Sequence, residues 1–413
     1  RHICRPVAAS VRDDDDLEFL LERIHADREH YLAGNERVED VAAALGMSYG
    51  ETVRELLGET RPAPPHTFTG GDAALLQALL DGPEAATRQR MRAVLSRPQF
   101  AHRAGLTTAQ HRQLVFDWIR EVAREGFGSL GLPRELGGGG DVAGFLAGFE
   151  TLGTHDASLA VKFGVQFGLF GGSIQLLGTE RHHRYLKAAA TLELPGCFAM
   201  SELGHGSNVR DIRTAARFDP ATDEFIVHTP DYDARKDWIG NAAVHGRMAT
   251  VFAQLYTGDT CHGVHSLLVP LRGPAGEPLP GVRIADCGEK MGLNGVDNGK
   301  IWFDHVRVPR ENLLNRYGDV ARDGSYTSPI ASPSARFFTM LGTLVGGRIS
   351  VAKFALSAAK TGLTVAVRYS AVRRQFGPTG AAERPILEYQ THQRRLIPAI
   401  ATTSARPGST TAL

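Results

Sequence analysis

From about residue 72 to residue 195 the apolar side chains recur every three or four positions. Amphipathic stretches at 75–80, 89–95, 110–124 and 145–152 predict helices with one buried face. At Pro195 the period drops to two. Residues 213–218 and 224–228 alternate on either side of Asp219-Pro220-Ala221-Thr222-Asp223, a hairpin signal, and 249–256, 265–271, 281–285 and 299–308 read as further strands. No helical pattern separates these strands, so the sheets are expected to be mostly antiparallel. After Pro333 the helical period returns. Residues 337–373 form one long amphipathic pattern broken by Gly342 and by Gly346-Gly347, and a second helix is predicted from near Pro385.

Flanking this helix, strand, helix order are two different stretches. Residues 17–58 read as two helices, with Leu17, Leu20, Leu21 and Ile24 on one face of the first. Residues 38–48 resemble the opening of a helix-turn-helix, but 51–59 carry three glutamates and one arginine. That charge disfavours phosphate contact and leaves an ordinary helical hairpin. Arg61-Pro62-Ala63-Pro64-Pro65 reads as a stiff linker, and the low-complexity run around 404–411 as a disordered tail. The expected division is a helical extension and linker at 1–65, an all-α domain at 66–195, a β domain at 196–312, a partial helical domain at 313–400 and a disordered tail at 401–413. The opening at Arg1 rather than Met is read as a processed or trimmed start.

Composition narrows the picture only modestly. The 413 residues are 42% apolar and 22% charged with a formal charge of +1, which gives no overall field to attract nucleic acid or an anionic membrane. No uninterrupted apolar run approaches spanning length, and no leader pattern opens the chain. Cys4, Cys197, Cys261 and Cys287 lie far apart without a C-x-x-C pair, so they are read as buried thiols in a reducing compartment rather than as a zinc or disulfide framework. Only seven of the 46 basic residues are Lys, a bias that with abundant Ala and Gly points to a GC-rich bacterial gene, and the cysteine pattern suits a reducing cytoplasm.

The chemistry concentrates in Cys197-Phe198-Ala199-Met200-Ser201-Glu202-Leu203-Gly204-His205-Gly206-Ser207-Asn208. Gly204 and Gly206 permit close backbone approach, and amide N–H groups with the Ser207 hydroxyl can donate to a bound group. Lys236-Asp237-Trp238-Ile239-Gly240-Asn241 follows, then Lys290-Met291-Gly292-Leu293-Asn294, then the run from Phe303-Asp304-His305 to Leu314, then Tyr369-Ser370-Ala371-Val372-Arg373-Arg374-Gln375-Phe376-Gly377. In this order and spacing the set resembles the acyl-CoA oxidases of the acyl-CoA dehydrogenase superfamily, of bacterial type and C-terminally truncated, over about residues 75–398.

The resemblance implies a multidomain α+β fold: an N-terminal helical domain, a central antiparallel β domain and the start of a C-terminal helical domain. It implies FAD as cofactor, an acyl-CoA thioester as substrate, dioxygen as electron acceptor, and a homodimer or higher homo-oligomer. By motif position, Ser201 and the Gly240 backbone would contact the flavin ring and Trp238 would lie beside its face. Ser207 would meet the CoA end, and Arg348 the CoA phosphates. Arg373 and Gln375 would reach the FAD pyrophosphate of a neighbouring subunit, where a guanidinium fork suits a diphosphate. Phe163, Phe167 and Phe170 read as core, though the glycines beside them also leave room for an acyl chain. No catalytic base is assigned. The family's glutamate is expected in a C-terminal region beyond Leu413, and Gly347 stands at the alternative position before Arg348. Glu202 is taken as structural, and neither Glu383 nor Glu388 is promoted. The chain as given is therefore expected not to turn over substrate. A dehydrogenase using an electron-transfer flavoprotein and a non-catalytic acyl-CoA-binding remnant remain as alternatives.

Overall fold

The computed structural model describes residues 70–409, and the architecture below belongs to the compact unit that begins at Ala78. The readings of residues 1–65, including the helical hairpin and the linker, lie outside the described residues. Helices α1 (Ala85–Leu95), α2 (Thr108–Arg124), α3 (Val142–Gly153) and α4 (Ala157–Phe163) form the first layer. Their starts follow from local chemistry. Thr107 and Gln110 close a capping box on α2, while the carboxylates of Asp141 and Asp156 accept the N–H groups of Gly144 and Leu159 to cap α3 and α4. Val115, Trp118, Ile119 and Val122 then sit on one face of α2, fully buried against Phe127, Phe163 and Phe167.

Beyond α4 the helix widens into a π-helical segment, Gly164–Gly171, before resuming as α5 (Gly172–Leu177); α6 (Arg184–Ala190) follows. The continuous helical run Ala157–Leu177 is long and apolar enough to cross a membrane by length and composition, which corrects the sequence-based expectation that no segment qualifies. Most of it is buried inside the fold. Phe163, Phe167 and Phe170 all point into the core, as expected.

Nine strands make the β domain: β1 (Gly196–Ala199), β2 (Ala215–Asp219), β3 (Glu224–His228), β4 (Lys236–Ile239), β5 (Met248–Thr257), β6 (Thr260–Pro270), β7 (Val282–Asp286), β8 (Gly299–Phe303) and β9 (Val306–Pro309). One sheet runs β1-β5-β2-β3-β9 with β6 on the far side of β5, and a second runs β4-β8-β7. Val227, Val251, Val269 and Val308 of the first pack against Ile239, Ile301 and Phe303 of the second in a single apolar core. Most pairings are antiparallel, but β1 and β2 both run parallel to β5, matched to 248–251 and 254–257 respectively. The two lie end to end along one side of β5, separated by an excursion, residues 200–214, and β2 pairs on its other side with β3. The expected strand 299–308 likewise divides, because Asp304 and left-handed His305 (φ 53°) turn β9 out of one sheet and into the other.

Helix α7 (Pro333–Leu341) leads through a single 3-10 turn, Gly342–Leu344, into α8 (Val345–Val372). Buried Glu150 of α3 anchors α8, accepting from Lys360 and Arg88 at 3.0 and 2.9 Å while its backbone carbonyl accepts the Ser357 hydroxyl. Helix α9 (Gln390–Ser409) continues through the region expected to be a disordered tail, so that boundary is corrected for 401–409. Along α8, Val351, Ala355, Ala358, Gly362, Val365, Tyr369 and Val372 form an exposed row at alternating four- and three-residue spacing.

Candidate functional site

The excursion between β1 and β2 carries the glycine-rich run, and Glu202 closes its base. The Glu202 carboxylate accepts the N–H groups of Arg213 and Thr214 and the Thr214 hydroxyl at 2.7, 2.8 and 2.6 Å, and Lys236 Nζ donates to it at 3.1 Å. Burial works against its charge, but Lys236 and these donors outweigh burial and hold the carboxyl below the usual carboxylate range. In turn, burial pushes the Lys236 ammonium down to about 8 against the pull of Glu202. A buried carboxylate paired with Lys236 and already accepting four hydrogen bonds is a poor general base, which fits a structural role for Glu202. His205, whose Nδ1 lies 3.5 Å from Glu202, belongs to the same turn.

Backbone contacts join the excursion to β4 and to the residues just before it. Leu203 N–H donates to Arg235 O, and Asp237 N–H donates to Ser201 O at 3.2 Å. Ser201, on the excursion, therefore stands beside the strand that carries Trp238. Trp238 adopts φ 60° and Asn241 φ 66°, conformations that cost a non-glycine residue on the order of 1–3 kcal/mol. The strain is held by specific bonds: the Asp237 carboxylate accepts Trp238 N–H, Asn298 Nδ2 donates to Trp238 O, and Asn241 Nδ2 donates to Gly196 O, at 2.9, 2.9 and 2.8 Å. With its backbone fixed, the Trp238 side chain is turned outward, leaving the residue 61% exposed. Gly240 lies against the π-helical segment, where a Cβ would come within 2.9 Å of Val165 Cγ2, so the close approach requires glycine.

Beneath this turn is a buried charged cluster that the sequence did not announce. Lys162 of α4 donates to Asn241 Oδ1 at 2.8 Å and pairs with Asp297, which also accepts the N–H groups of Val244 and His245 at 2.9 Å each. Both charged side chains are almost wholly buried. Burial holds the Lys162 ammonium below its ordinary value despite Asp297, whereas for Asp297 the attraction of Lys162 and His245 overcomes burial and holds the carboxyl far below its ordinary range. The His245 ring stacks on Phe116 at 4.1 Å. The Lys290-to-Asn294 motif acts here too: Lys290 Nζ donates to Asn298 Oδ1 at 2.6 Å, orienting the amide that holds Trp238. A lone Lys inside an apolar helix was the available signal, but its partner lies 135 residues away.

The remaining site residues separate into two groups. Ser207 lies just past the Glu202–His205 turn, exposed on the excursion. Arg348 is exposed in the first turn of α8, where neighbouring Gly347 faces Leu169 of the π-helical segment that also touches Gly240. Arg373 and Gln375 are at the other end: the straight run of α8 puts Val372 roughly 36 Å along the axis from Arg348. The side chains of Ser201, Ser207, Arg348, Arg373 and Gln375 make no hydrogen bond or ion pair within the described residues. Glu383 and Glu388 are exposed. Of the cysteines, Cys197 is buried as expected, but Cys261 is exposed and Cys287 half-buried, which corrects the reading of them all as buried thiols.

Comparison with known proteins accounts for this layout. Residues 84–193 match the acyl-CoA dehydrogenase N-terminal domain, 197–306 its middle domain and 341–410 the acyl-CoA oxidase C-alpha1 domain. Acyl-coenzyme A oxidase 2, peroxisomal, of Arabidopsis thaliana is 45% identical over 324 residues, covering 75% of this chain and 45% of its own length. The crystal structure of acyl-CoA oxidase1 from Yarrowia lipolytica superposes with a TM-score of 0.72 at 33% identity, covering 80% of this chain and 47% of that one. Acyl-CoA oxidase-2 of Caenorhabditis elegans, bound with FAD, ascaroside-CoA and ATP, gives 0.67 at 31% identity, covering 80% and 49%. The chain spans about half the length of the curated relatives it matches. The expectation of a cytoplasmic location is overturned, since the plant relative and a human relative, peroxisomal acyl-coenzyme A oxidase 3, are named peroxisomal, and these relatives do not bear out a bacterial type. Three consecutive domain matches, and relatives that are acyl-CoA oxidases by sequence and by structure, place this chain in the acyl-CoA oxidase family of the acyl-CoA dehydrogenase superfamily.

Proposed function

We propose that this chain forms the flavin- and thioester-binding part of an acyl-CoA oxidase, which dehydrogenates an acyl-CoA to the trans-2-enoyl-CoA in fatty-acid β-oxidation and passes the electrons to dioxygen, giving hydrogen peroxide. The observation that carries this is the Trp238 turn: a strained backbone, fixed on three sides by Asp237, Asn298 and Asn241, that presents a bare indole beside the unbonded Ser201 hydroxyl. A flat apolar wall next to a single hydroxyl suits an isoalloxazine ring, and strain of this kind belongs to sites that hold a ligand. FAD, when bound, supplies the acceptor for the β-hydrogen and the route to dioxygen.

The chain's own residues do the positioning. Trp238 walls the ring, Ser201 and the Gly240 backbone bond its polar edge, and the Lys162–Asp297 cluster keeps the turn in place. Ser207 and Arg348 bind the CoA moiety, Arg348 as a guanidinium fork on phosphate. Arg373 and Gln375 serve the FAD pyrophosphate of a second copy in a homodimer or higher homo-oligomer. The length of α8 and its exposed apolar row both favour that reading. The peroxisomal naming of relatives favours the same compartment here.

The test is a titration with FAD, followed by absorbance near about 450 nm and by quenching of tryptophan fluorescence. Wild-type chain should bind saturably, Trp238→Ala at least about tenfold more weakly, and a long-chain acyl-CoA should perturb the bound spectrum. Equal binding by wild type and Trp238→Ala would remove the site.

A further inference from the structure

We propose that His228, Asp304 and His305 form a divalent transition-metal site on the β domain, suited to a borderline ion such as Zn²⁺, Co²⁺, Ni²⁺ or Cu²⁺. The proposal is independent of the flavin reading. Asp304 and His305 belong to the Phe303-to-Leu314 motif, yet nothing in the flavin or thioester site uses them. Two elements bring the three residues together. His228 ends β3, and the next residue ties that end to β8: Thr229 N–H donates to Phe303 O at 2.8 Å, and Phe303 N–H to Thr229 Oγ1 at 3.0 Å. Asp304 and His305 form the turn that follows, anchored by Asp304 N–H on Gly281 O and by the left-handed His305.

The donor atoms are preassembled. One nitrogen from each imidazole and one Asp304 oxygen all lie within 4.8 Å of one another. Asp304 Oδ1 is 2.7 Å from His305 Nδ1 and 3.9 Å from His228 Nδ1, and the two rings stack at 4.0 Å between centroids. Bonds of about 2.0–2.2 Å to nitrogen and oxygen put the ligands of a tetrahedral ion roughly 3.3 Å apart. Small rotations of the exposed Asp304 and His305 side chains reach that spacing from either side. A second observation points the same way: His228 Nδ1 is buried and has no hydrogen-bond partner, a vacancy that a buried polar atom rarely carries unanswered. Two imidazoles with one carboxylate select late first-row ions over Mg²⁺ or Ca²⁺, and the solvent side leaves coordination positions for water or an external ligand. The site is separate from the Trp238 turn. Trp238 lies beside the Gly299 end of β8, and the four residues to Phe303 span about 13 Å.

The experiment is calorimetric titration of the intact chain with Zn²⁺, paired with Co²⁺ absorption to report coordination. The variants are His228→Gln, Asp304→Asn and His305→Asn, the last retaining a residue that tolerates the left-handed backbone. One ion per chain is expected at micromolar affinity, unaffected by excess Mg²⁺. Each substitution should weaken binding at least about tenfold while circular dichroism stays unchanged, and Zn²⁺ should raise the melting temperature of wild type more than of any variant. Absence of stoichiometric binding overturns the proposal. So does binding that survives all three substitutions, because the ion would then sit on other groups.

Discussion

Replacing Lys162 with Met keeps the length and bulk of the side chain but deletes a charge buried to 1% exposure. Asp297, fully buried, then keeps only the amides of Val244 and His245 and the His245 ring as partners for its charge. Breaking one side of a buried pair costs about 3–5 kcal/mol, because the other charge remains without its counterion. With a urea dependence of roughly 2 kcal/mol per molar, that corresponds to a midpoint lowered by about 2 M. The effect is also directional. Asn241 loses the donor to its Oδ1, so the left-handed turn that presents Trp238 should loosen, and amide exchange at 238–241 should accelerate more than in β5 or β6. The control is Lys162→Met combined with Asp297→Asn. Removing both charges should cost less than Lys162→Met alone, with a coupling energy of about 1–3 kcal/mol. A single-variant loss below about 1 kcal/mol, or a double variant equal to the sum of the singles, would refute the account.

Three further outcomes are expected. His265 is buried, with its Nδ1 against Gly263 O and its Nε2 against the Tyr326 hydroxyl, and burial pushes it down to about 4. Between about pH 6.5 and 4 the unfolded chain binds the extra proton, so stability should fall as pH falls, by up to about 3 kcal/mol, and His265→Gln should remove that part of the slope in urea unfolding measured across pH. Arg373→Ala should weaken flavin affinity by about 1.5–3 kcal/mol at a protein concentration that favours the oligomer, and an unchanged affinity would exclude the diphosphate role. Gly196→Ala should destabilise by about 1–3 kcal/mol in thermal unfolding, because its Cβ would collide with the buried Phe170 ring at the junction of β1 and the π-helical segment; a neutral result would mean that ring moves freely.

Much of this protein could be read without coordinates. The change of period at Pro195 separated helices from strands, because helices and strands bury side chains at different spacings, and the hairpin across 219–223 carried its own turn residues. The site run 197–208 and the Trp238 motif were visible because glycines, hydroxyls and an indole close together in sequence leave few other uses. The expectation of mostly antiparallel sheets holds, while the parallel pairing of β1 and β2 with β5 follows an excursion that Glu202 closes onto Arg213 and Thr214, 11 and 12 positions on, which no local pattern carries. The pattern misled at the chain's end, where the helical continuation through Ser409 runs against its Pro, Gly and Ser composition.

Only tertiary structure decided the rest, since electrostatics and metal geometry depend on distance in space rather than along the chain. Lys162 and Asp297 are 135 residues apart in sequence, and a buried charge is tolerable only where folding supplies its partner. His228 and Asp304 meet because β3 and the β8–β9 turn share one end of the β domain, a proximity that no spacing between positions 228 and 304 encodes. The sequence determined which chemical groups this chain can offer. The fold determined which of them are already bonded, as Glu202 is, and which make no hydrogen bond among the described residues, as the exposed Trp238 and half-buried Ser201 side chains do not.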